Sequence, residues 1–400
     1  MSDTSNTLIK GYKYRIYPNK EQQEYLSKVF GCCRFIYNKM LNEQIKAYEE
    51  FKEGKTIVKP KISKFDMCKN MVKLKDIEDF VWLKEVPAHT LQASISNLES
   101  AFKHFFRKRL GYPKFKSKHG KQSATFSTCS YTLKDSVLKL AKCDLPIKVK
   151  WSRDLPTQFP GPVTISKTPD GKYCASFMCN YVPVKTAGTK ITGIDAGITY
   201  LMTLSDGTSF DNLRHYVKAS ERLVCLQRRL SRKKKGSKNR NKARVKVAAL
   251  HSKVVNQRND YLHKLTTKLV SENQAIAIEQ LMVSNMVKNH KLSKHILDAS
   301  WGKMREYLKY KCVASNHCKL ILADPYYPST QLCSCCGVNP DEKIKLGVTK
   351  WTCSNCGTTH QRDDNAAKNL QNLAIDLIKT LDLFNKPEAI ILAPAYRQTA

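Results

Sequence analysis

The chain has 400 residues, with 69 Lys and Arg against 34 Asp and Glu, a formal net charge of +35. That length exceeds one typical domain, and 42% hydrophobic residues suffice for a real core, which excludes global disorder. So large an excess of one sign opposes compaction unless phosphate neutralises it, which favours nucleic acid over a membrane surface or an acidic protein as partner. No run of eighteen apolar residues occurs, so no membrane span is expected, and the polar start, 1–6, lacks the apolar stretch of a signal peptide. The expectation is an intracellular protein with reduced cysteines: cytoplasmic and nucleoid-associated in a prokaryote, nuclear in a eukaryote or one of its viruses.

Residues Tyr12 to Tyr17 alternate bulky and basic side chains as a strand does, and Pro18-Asn19 ends it. Asn19 followed by Gln22 predicts a capping box, and Leu26, Val29, Phe30, Cys33, Ile36 and Met40 then recur at helical spacing. A second helix is expected after Pro87, with Leu91, Ile95, Leu98, Phe102 and Phe105 as its core stripe. The stretch 111–121 interleaves Tyr112 and Phe115 with Lys114, Lys116 and Lys118. That pattern suits base stacking and phosphate contact, or a solvated loop. From about 127 to 183 the pattern turns to short strands, among them 147–151 and 173–181, a small β-rich unit that joins the preceding helices. Residues 184–190 read as a linker.

A second unit starts at Ile191. Buried strands are expected at 191–195, 200–204, 275–278 and 320–323, a turn at Ser205-Asp206-Gly207, and a helix from Trp301 to Cys312. Strands alternating with helices imply an α/β domain. Eleven of the nineteen residues from Arg228 to Lys246 are Lys or Arg and none is acidic, among them Arg228, Arg229, Arg232, Lys233, Lys234, Lys235, Lys238 and Arg240. Leu223, Leu226 and Leu230 before this run, and Val247, Leu250, Val254, Leu262, Leu265 and Leu269 beyond it, keep helical spacing. The simplest structure is a helical hairpin over 221–270 with a phosphate-binding tip near 236–241.

Cys333 and Cys336 form one C-x2-C pair and Cys353 and Cys356 another, sixteen residues apart, with Gly337 and Gly357 after each pair. Four thiolates so spaced suit one tetrahedral zinc ion with no open position, hence a structural zinc. Cys335 between two ligands reads as a bystander. Three acids stand at element ends: Asp195 in Gly193-Ile194-Asp195-Ala196-Gly197, Glu279 closing an apolar strand, and Asp363 just before an amphipathic helix through Leu370, Leu373, Leu377 and Ile378. Together they suggest carboxylates gathered at one sheet edge. Hydrolysis of a phosphodiester needs charge stabilisation at the entering and leaving oxygens, which two magnesium or manganese ions about 3.5–4 Å apart on such oxygen ligands supply.

These motifs, with Tyr14-Arg15-Ile16-Tyr17-Pro18, the stretch 102–118, Ser300-Trp301, Tyr310-Lys311 and above all Ser329-Thr330-Gln331-Leu332-Cys333 through Asn369, resemble the TnpB family of transposon-encoded RNA-guided endonucleases, related to type V CRISPR effectors. The resemblance implies an RuvC-type, RNase H-like α/β nuclease domain (191–328 and 359–380) with an inserted zinc ribbon (329–358), and 381–400 as a flexible tail. It implies an N-terminal recognition lobe (1–183), a helical bundle inserted in a small β-barrel-like unit, that reads a short motif in double-stranded target DNA while a guide RNA pairs with one strand. Asp195, Glu279 and Asp363 fall at its three catalytic positions. One departure is Gln361, where the family usually has an acid; Asp364 follows as the rival to Asp363. The alternative to an endonuclease is a guide-RNA-bound repressor that binds DNA without cutting it. A DNA transposase proper ranks low.

Overall fold

The computed structural model describes residues 8–157, 160–182, 188–340, 342–345, 347–386 and 388–395. The chain divides into two compact units, Met1–Val182 and Pro183–Ala400. Residues 184–187 of the expected linker, 184–190, lie outside the described residues.

In the first unit β1 (Leu8–Tyr17) is followed by α1 (Lys20–Lys52), α2 (Lys64–Lys75) and α3 (Ala88–Phe106). Then come β2 (Gln122–Phe126), β3 (Tyr131–Lys134), β4 (Val137–Leu140), β5 (Lys148–Lys150), β6 (Val163–Lys167) and β7 (Tyr173–Tyr181). The capping box forms as its spacing predicts: Asn19 Oδ1 accepts from the Gln22 N–H at 2.8 Å, and Gln22 Oε1 from the Asn19 N–H at 2.9 Å. The strands pair antiparallel in the order β2-β6-β7-β1-β5. The first strand of the chain thus sits inside a sheet whose other strands follow the helices, and α1 to α3 are an insertion. Tyr14 and Ile16 of β1 pack with Leu26, Ile36 and Met40 of α1 and with Leu91, Ile95 and Leu98 of α3 in one core. The β3–β4 hairpin joins β5 by a single bridge, Leu138 to Ile147, so among the described residues the sheet is extended but not closed into a ring.

The basic-aromatic stretch 111–121 forms neither helix nor strand. It is nevertheless fixed to α1. The Asn38 side chain donates to the Lys116 carbonyl (3.0 Å) and accepts from its N–H (2.8 Å), and the Lys116 ammonium lies 3.7 Å from the Tyr37 ring centre. Lys114, Phe115 and Lys118 remain exposed beside this clamp.

The second unit begins with β8 (Lys190–Asp195), β9 (Tyr200–Leu204) and β10 (Ser209–Asp211). The hairpin α4 (His215–Ser231) and α5 (Lys238–Glu272) leads to β11 (Asn273–Glu279), α6 (Val283–Met286), α7 (His290–Ala299), α8 (Trp301–Ser315) and β12 (Lys319–Ala323). The two-stranded ribbon β13 (Lys350–Thr352) and β14 (Thr359–Gln361) runs directly into α9 (Arg362–Leu381), and β15 (Ile390–Leu392) closes the order. The six-stranded sheet runs β10-β9-β8-β11-β12-β15, with β9 antiparallel to both neighbours and β8, β11, β12 and β15 mutually parallel. β11 alternates: Ile276 and Ile278 face the core built by Leu262, Leu265 and Leu308, whereas Ala275 and Ala277 face Leu370 and Ala374 of α9. Small residues on the second face let α9 approach the sheet.

Residues 381–400 are not simply the expected tail. Ile390 to Leu392 pair in parallel with Leu320 to Leu322 as the sixth strand. Only these three residues pair, and the strand depends on the exposed edge that β12 offers.

The helical hairpin starts at His215, earlier than the leucine spacing indicated, and its tip is 232–237, where Gly236 takes φ 84°. Arg240 is part of that turn, donating to the Leu230 and Lys233 carbonyls at 2.9 and 2.8 Å. The hairpin's base is held by Asp298 of α7, which is buried. Its carboxylate accepts from the Tyr216 and Val217 N–H groups at the start of α4 (3.0 Å) and from Arg258 Nη2 of α5 (2.7 Å). Removing one partner of a buried ion pair strands the other, so Asp298→Ala should destabilise this unit by about 3–5 kcal/mol. Urea unfolding checks it; a change within about 0.5 kcal/mol, the range of a surface substitution, contradicts the role.

Candidate active site and metal centre

Asp195 and Glu279 close neighbouring parallel strands. Ile194 of β8 pairs with Ile278 of β11, so the two acids follow side by side at the same sheet edge. Asp363 enters from the other side, in the first turn of α9. The helix can reach because Gly193 has no side chain: a Cβ there would lie 1.9 Å from the Ala367 carbonyl oxygen and 2.5 Å from the Gln371 nitrogen. Residues two apart share a strand face. Asp195 therefore faces the same helix one step nearer its N-terminus, and Asp363 lies one turn before Ala367. Gly193→Ala must push α9 off the sheet. It should cost about 1–3 kcal/mol or more, checked by the melting temperature, and should move Asp363 from Asp195.

Asp195 is only 8% exposed. Burial holds its carboxyl well above the usual range, Glu279 and then Asp363 push it further, and Arg362 opposes them. Asp363, one of two acids in the first turn of α9, is among the groups whose charge raises Asp195. Burial also raises Glu279, against the Ser329 hydroxyl and Arg362. Gln361 occupies the N-cap of α9 without a side-chain cap bond. The departure from the family pattern thus lies just outside the helix that carries Asp363.

Among the described residues, the four cysteines are the group whose ligand atoms all lie within 4.8 Å of one another; the acids are a wider set. Cys333 and Cys356 are 3.6 Å apart at sulfur, Cys336 and Cys353 3.7 Å. A tetrahedron with sulfurs about 2.3 Å from its centre has edges of about 3.8 Å, so the four thiols fit one zinc ion. Gly337 and Gly357 take φ of 73° and 70°, the left-handed turns that curl each pair around the centre. Hydrogen bonds from Thr358 hold the Cys356 thiol down at about 6, which favours the ligating thiolate. Cys335 is exposed and outside the cluster. His360, its ring tilted against Trp351, places Nε2 3.0 Å from Cys333 Sγ, a neighbour that sequence spacing did not reveal.

Of the predicted phosphate contacts, Arg228, Arg229 and Arg232 line an open groove of about 630 Å³ along α4 that also includes Lys294 of α7. Lys294 was not legible in the sequence because it stands alone in α7 and joins the arginines only through helix packing. Lys233, Lys234, Lys235 and Lys238 are exposed around the tip.

Three family profiles match the chain: "Helix-turn-helix domain" over residues 6–53, "Probable transposase" over 163–290 and "Cas12f1-like, TNB domain" over 301–370. The first of these covers a strand and one continuous helix, β1 and α1. A Streptomyces pristinaespiralis protein named "Putative RNA-guided DNA endonuclease" is 40% identical over 364 residues, 90% of this chain and 88% of that protein. "Putative RNA-guided DNA endonuclease InsQ" of Escherichia coli (strain K12) is 34% identical over 382 residues, 90% and 91% of the two chains. The solved structure titled "Cryo-EM structure of the Cas12f1-sgRNA-target DNA complex" shares the mixed α/β fold, with a TM-score of 0.54 and 14% identity over 92% of this chain and 99% of that one. The two relatives match almost from end to end, and the chain belongs to their family, the TnpB family.

Proposed function

We propose that the protein is an RNA-guided DNA endonuclease whose second unit cuts with Asp195, Glu279 and Asp363. The observation that carries this reading is the convergence of three acids, from two adjacent parallel strands and a helix N-terminus, on one sheet edge. The strand order, with a reversed second strand and three following parallel partners, agrees with an RuvC-type, RNase H-like domain. Residues 329–358 are then its inserted zinc ribbon and 1–183 its recognition lobe.

The acids supply hard oxygen donors in a buried, mutually repelling set, the surroundings that suit magnesium or manganese. Bound there, such ions stabilise charge on the entering and leaving oxygens of the phosphodiester. Asp195, fixed on a strand interior to the sheet, and Glu279 beside it anchor the site. Asp363 closes it from α9, and Arg362 partly offsets their repulsion. The groove of Arg228, Arg229, Arg232 and Lys294 and the lysines of the tip engage the phosphates of guide RNA or target DNA. Phe115, flanked by Lys114 and Lys118, offers a stacking surface on the first unit.

Two measurements test these assignments. The chain purified with its co-expressed RNA should cut a plasmid library bearing a randomised flanking motif when magnesium is present. Binding without cutting under every flank favours the repressor. Replacing Lys233, Lys234 and Lys235 together by Gln should lower the slope of log affinity against log salt by about 2–3, one phosphate contact each. An unchanged slope means that the tip is a solvated face.

A further inference from the structure

The loop that leads into the first cysteine pair carries a buried hydroxyl aimed at the acids. Ser329 is 2% exposed, and its Oγ donates to Glu279 Oε1. The same residue is gripped from α9: Asn369 Nδ2 donates to the Ser329 carbonyl and to the Leu332 carbonyl, each at 2.7 Å. One turn earlier Asn365 Nδ2 donates to the Leu332 carbonyl (2.7 Å), and Asn365 Oδ1 accepts from the Ser334 N–H (2.9 Å). Both asparagines are buried. Asn365 lies two residues from Asp363, and Leu332 and Ser334 flank Cys333. The first cysteine pair, the helix that presents Asp363 and the carboxylate of Glu279 are therefore joined by one buried hydrogen-bonded chain.

We infer that Ser329 is a positioning residue for Glu279, held in place by Asn369 directly and by Asn365 through Leu332, so that the folded four-cysteine knuckle sets the geometry of the carboxylate site. This rests on the reading of Glu279 as a metal ligand. A carboxylate with one oxygen fixed by a hydroxyl presents the other in a defined direction, and groups that orient a ligand in this way typically change metal affinity 10–100-fold when removed. A purely structural serine would bond to backbone; this one bonds to the acid itself, while its own carbonyl receives the anchoring bond from Asn369.

The test compares wild type, Ser329→Ala, Ser329→Thr and Asp195→Asn as full chains loaded with RNA. Free Mn2+ is counted by electron paramagnetic resonance, zinc by elemental analysis, target binding by filter retention, and cleavage at saturating magnesium. Mn2+ is the probe because it prefers oxygen ligands over the four thiolates. Asp195→Asn should lower Mn2+ binding and so show that the signal reports the acids. Ser329→Ala should keep one zinc per chain and target affinity within about twofold, yet weaken Mn2+ about 10–100-fold and slow cutting alike. Ser329→Thr, which keeps the hydroxyl, should recover most of both. Unchanged Mn2+ affinity in Ser329→Ala overturns the inference, and so does loss of zinc or RNA in both Ser329 variants, which makes the residue structural. If wild type cuts no DNA but the Mn2+ pattern holds, the positioning role stands and the nuclease reading falls.

Discussion

Asp195→Asn should abolish cleavage and, in magnesium-free buffer, make the protein more stable. The loss of cutting follows from removing a central oxygen donor. Several kcal/mol of transition-state stabilisation correspond to a rate loss on the order of a thousandfold or more. RNA and target binding should persist, because the contacts proposed for them lie in the basic groove and on the first unit. The gain in stability follows from burial and repulsion. Asp195 is held above the usual carboxylate range by burial, Glu279 and Asp363. An acid raised in the fold binds its proton more tightly there than in the unfolded chain. Stability from this group is therefore full below the unfolded value, about 4, and is lost as pH rises through the folded value. The Asn variant has no such loss. It should melt at a higher temperature than wild type at pH 7.5, by an amount on the order of 1–2 kcal/mol, and the difference should shrink towards pH 4. Scanning fluorimetry at the two pH values, without chelator so that zinc stays bound, decides it. Equal stability at pH 7.5 contradicts the electrostatic account of the site. In the same series Asp363→Asn should stop cutting and Asp364→Asn should not; the reverse moves the helix acid by one residue.

Cys336→Ser should remove the zinc and with it both the knuckle and the cut. A structural zinc site contributes roughly 10–16 kcal/mol of apparent binding free energy, far more than any single contact in the ribbon, so its loss unfolds the local structure. Among its described residues the ribbon carries only two three-residue strands, and it depends on the four sulfurs for its geometry. β14 ends at Gln361, where α9 begins, so disorder there reaches the helix that presents Asp363. The variant should contain no zinc by elemental analysis and cleave at least about a hundredfold more slowly, as expected when groups that orient metal ligands are lost. Zinc retained at one per chain in Cys336→Ser would contradict the need for all four thiolates. Unimpaired cutting by the zinc-free protein would show that the ribbon does not support the site.

Much of this architecture was legible because its signals are local. The Asn19 capping box, the apolar stripes of α1 and α3, the strand ends at Asp195 and Glu279 and the two cysteine pairs each reside within short stretches of sequence. What escaped depends on distant partners. β15 forms on the edge of β12, seventy positions earlier. Asp298 acts through α4 and α5. Ser329 acts through Glu279, fifty positions away, and its neighbours in sequence do not announce it. Lys116 is an expected phosphate contact from its aromatic-basic stretch and Arg240 from its charge run; the fold seats the first over Tyr37 and uses the second to close a turn. The close approach of α9 explains why a glycine precedes Asp195 by two residues, a constraint no charge or hydropathy pattern expresses.

Pairing by RNA, and not the protein surface, should select where the proposed acid site cuts. The most direct measurement loads the chain with guide RNAs that differ only in the pairing segment, and maps the cuts on a plasmid carrying both matching sites beside the same flanking motif. The cut should move with the guide, need magnesium and disappear in Asp195→Asn. A cut that stays in place whatever the guide, or that survives in Asp195→Asn, would contradict it.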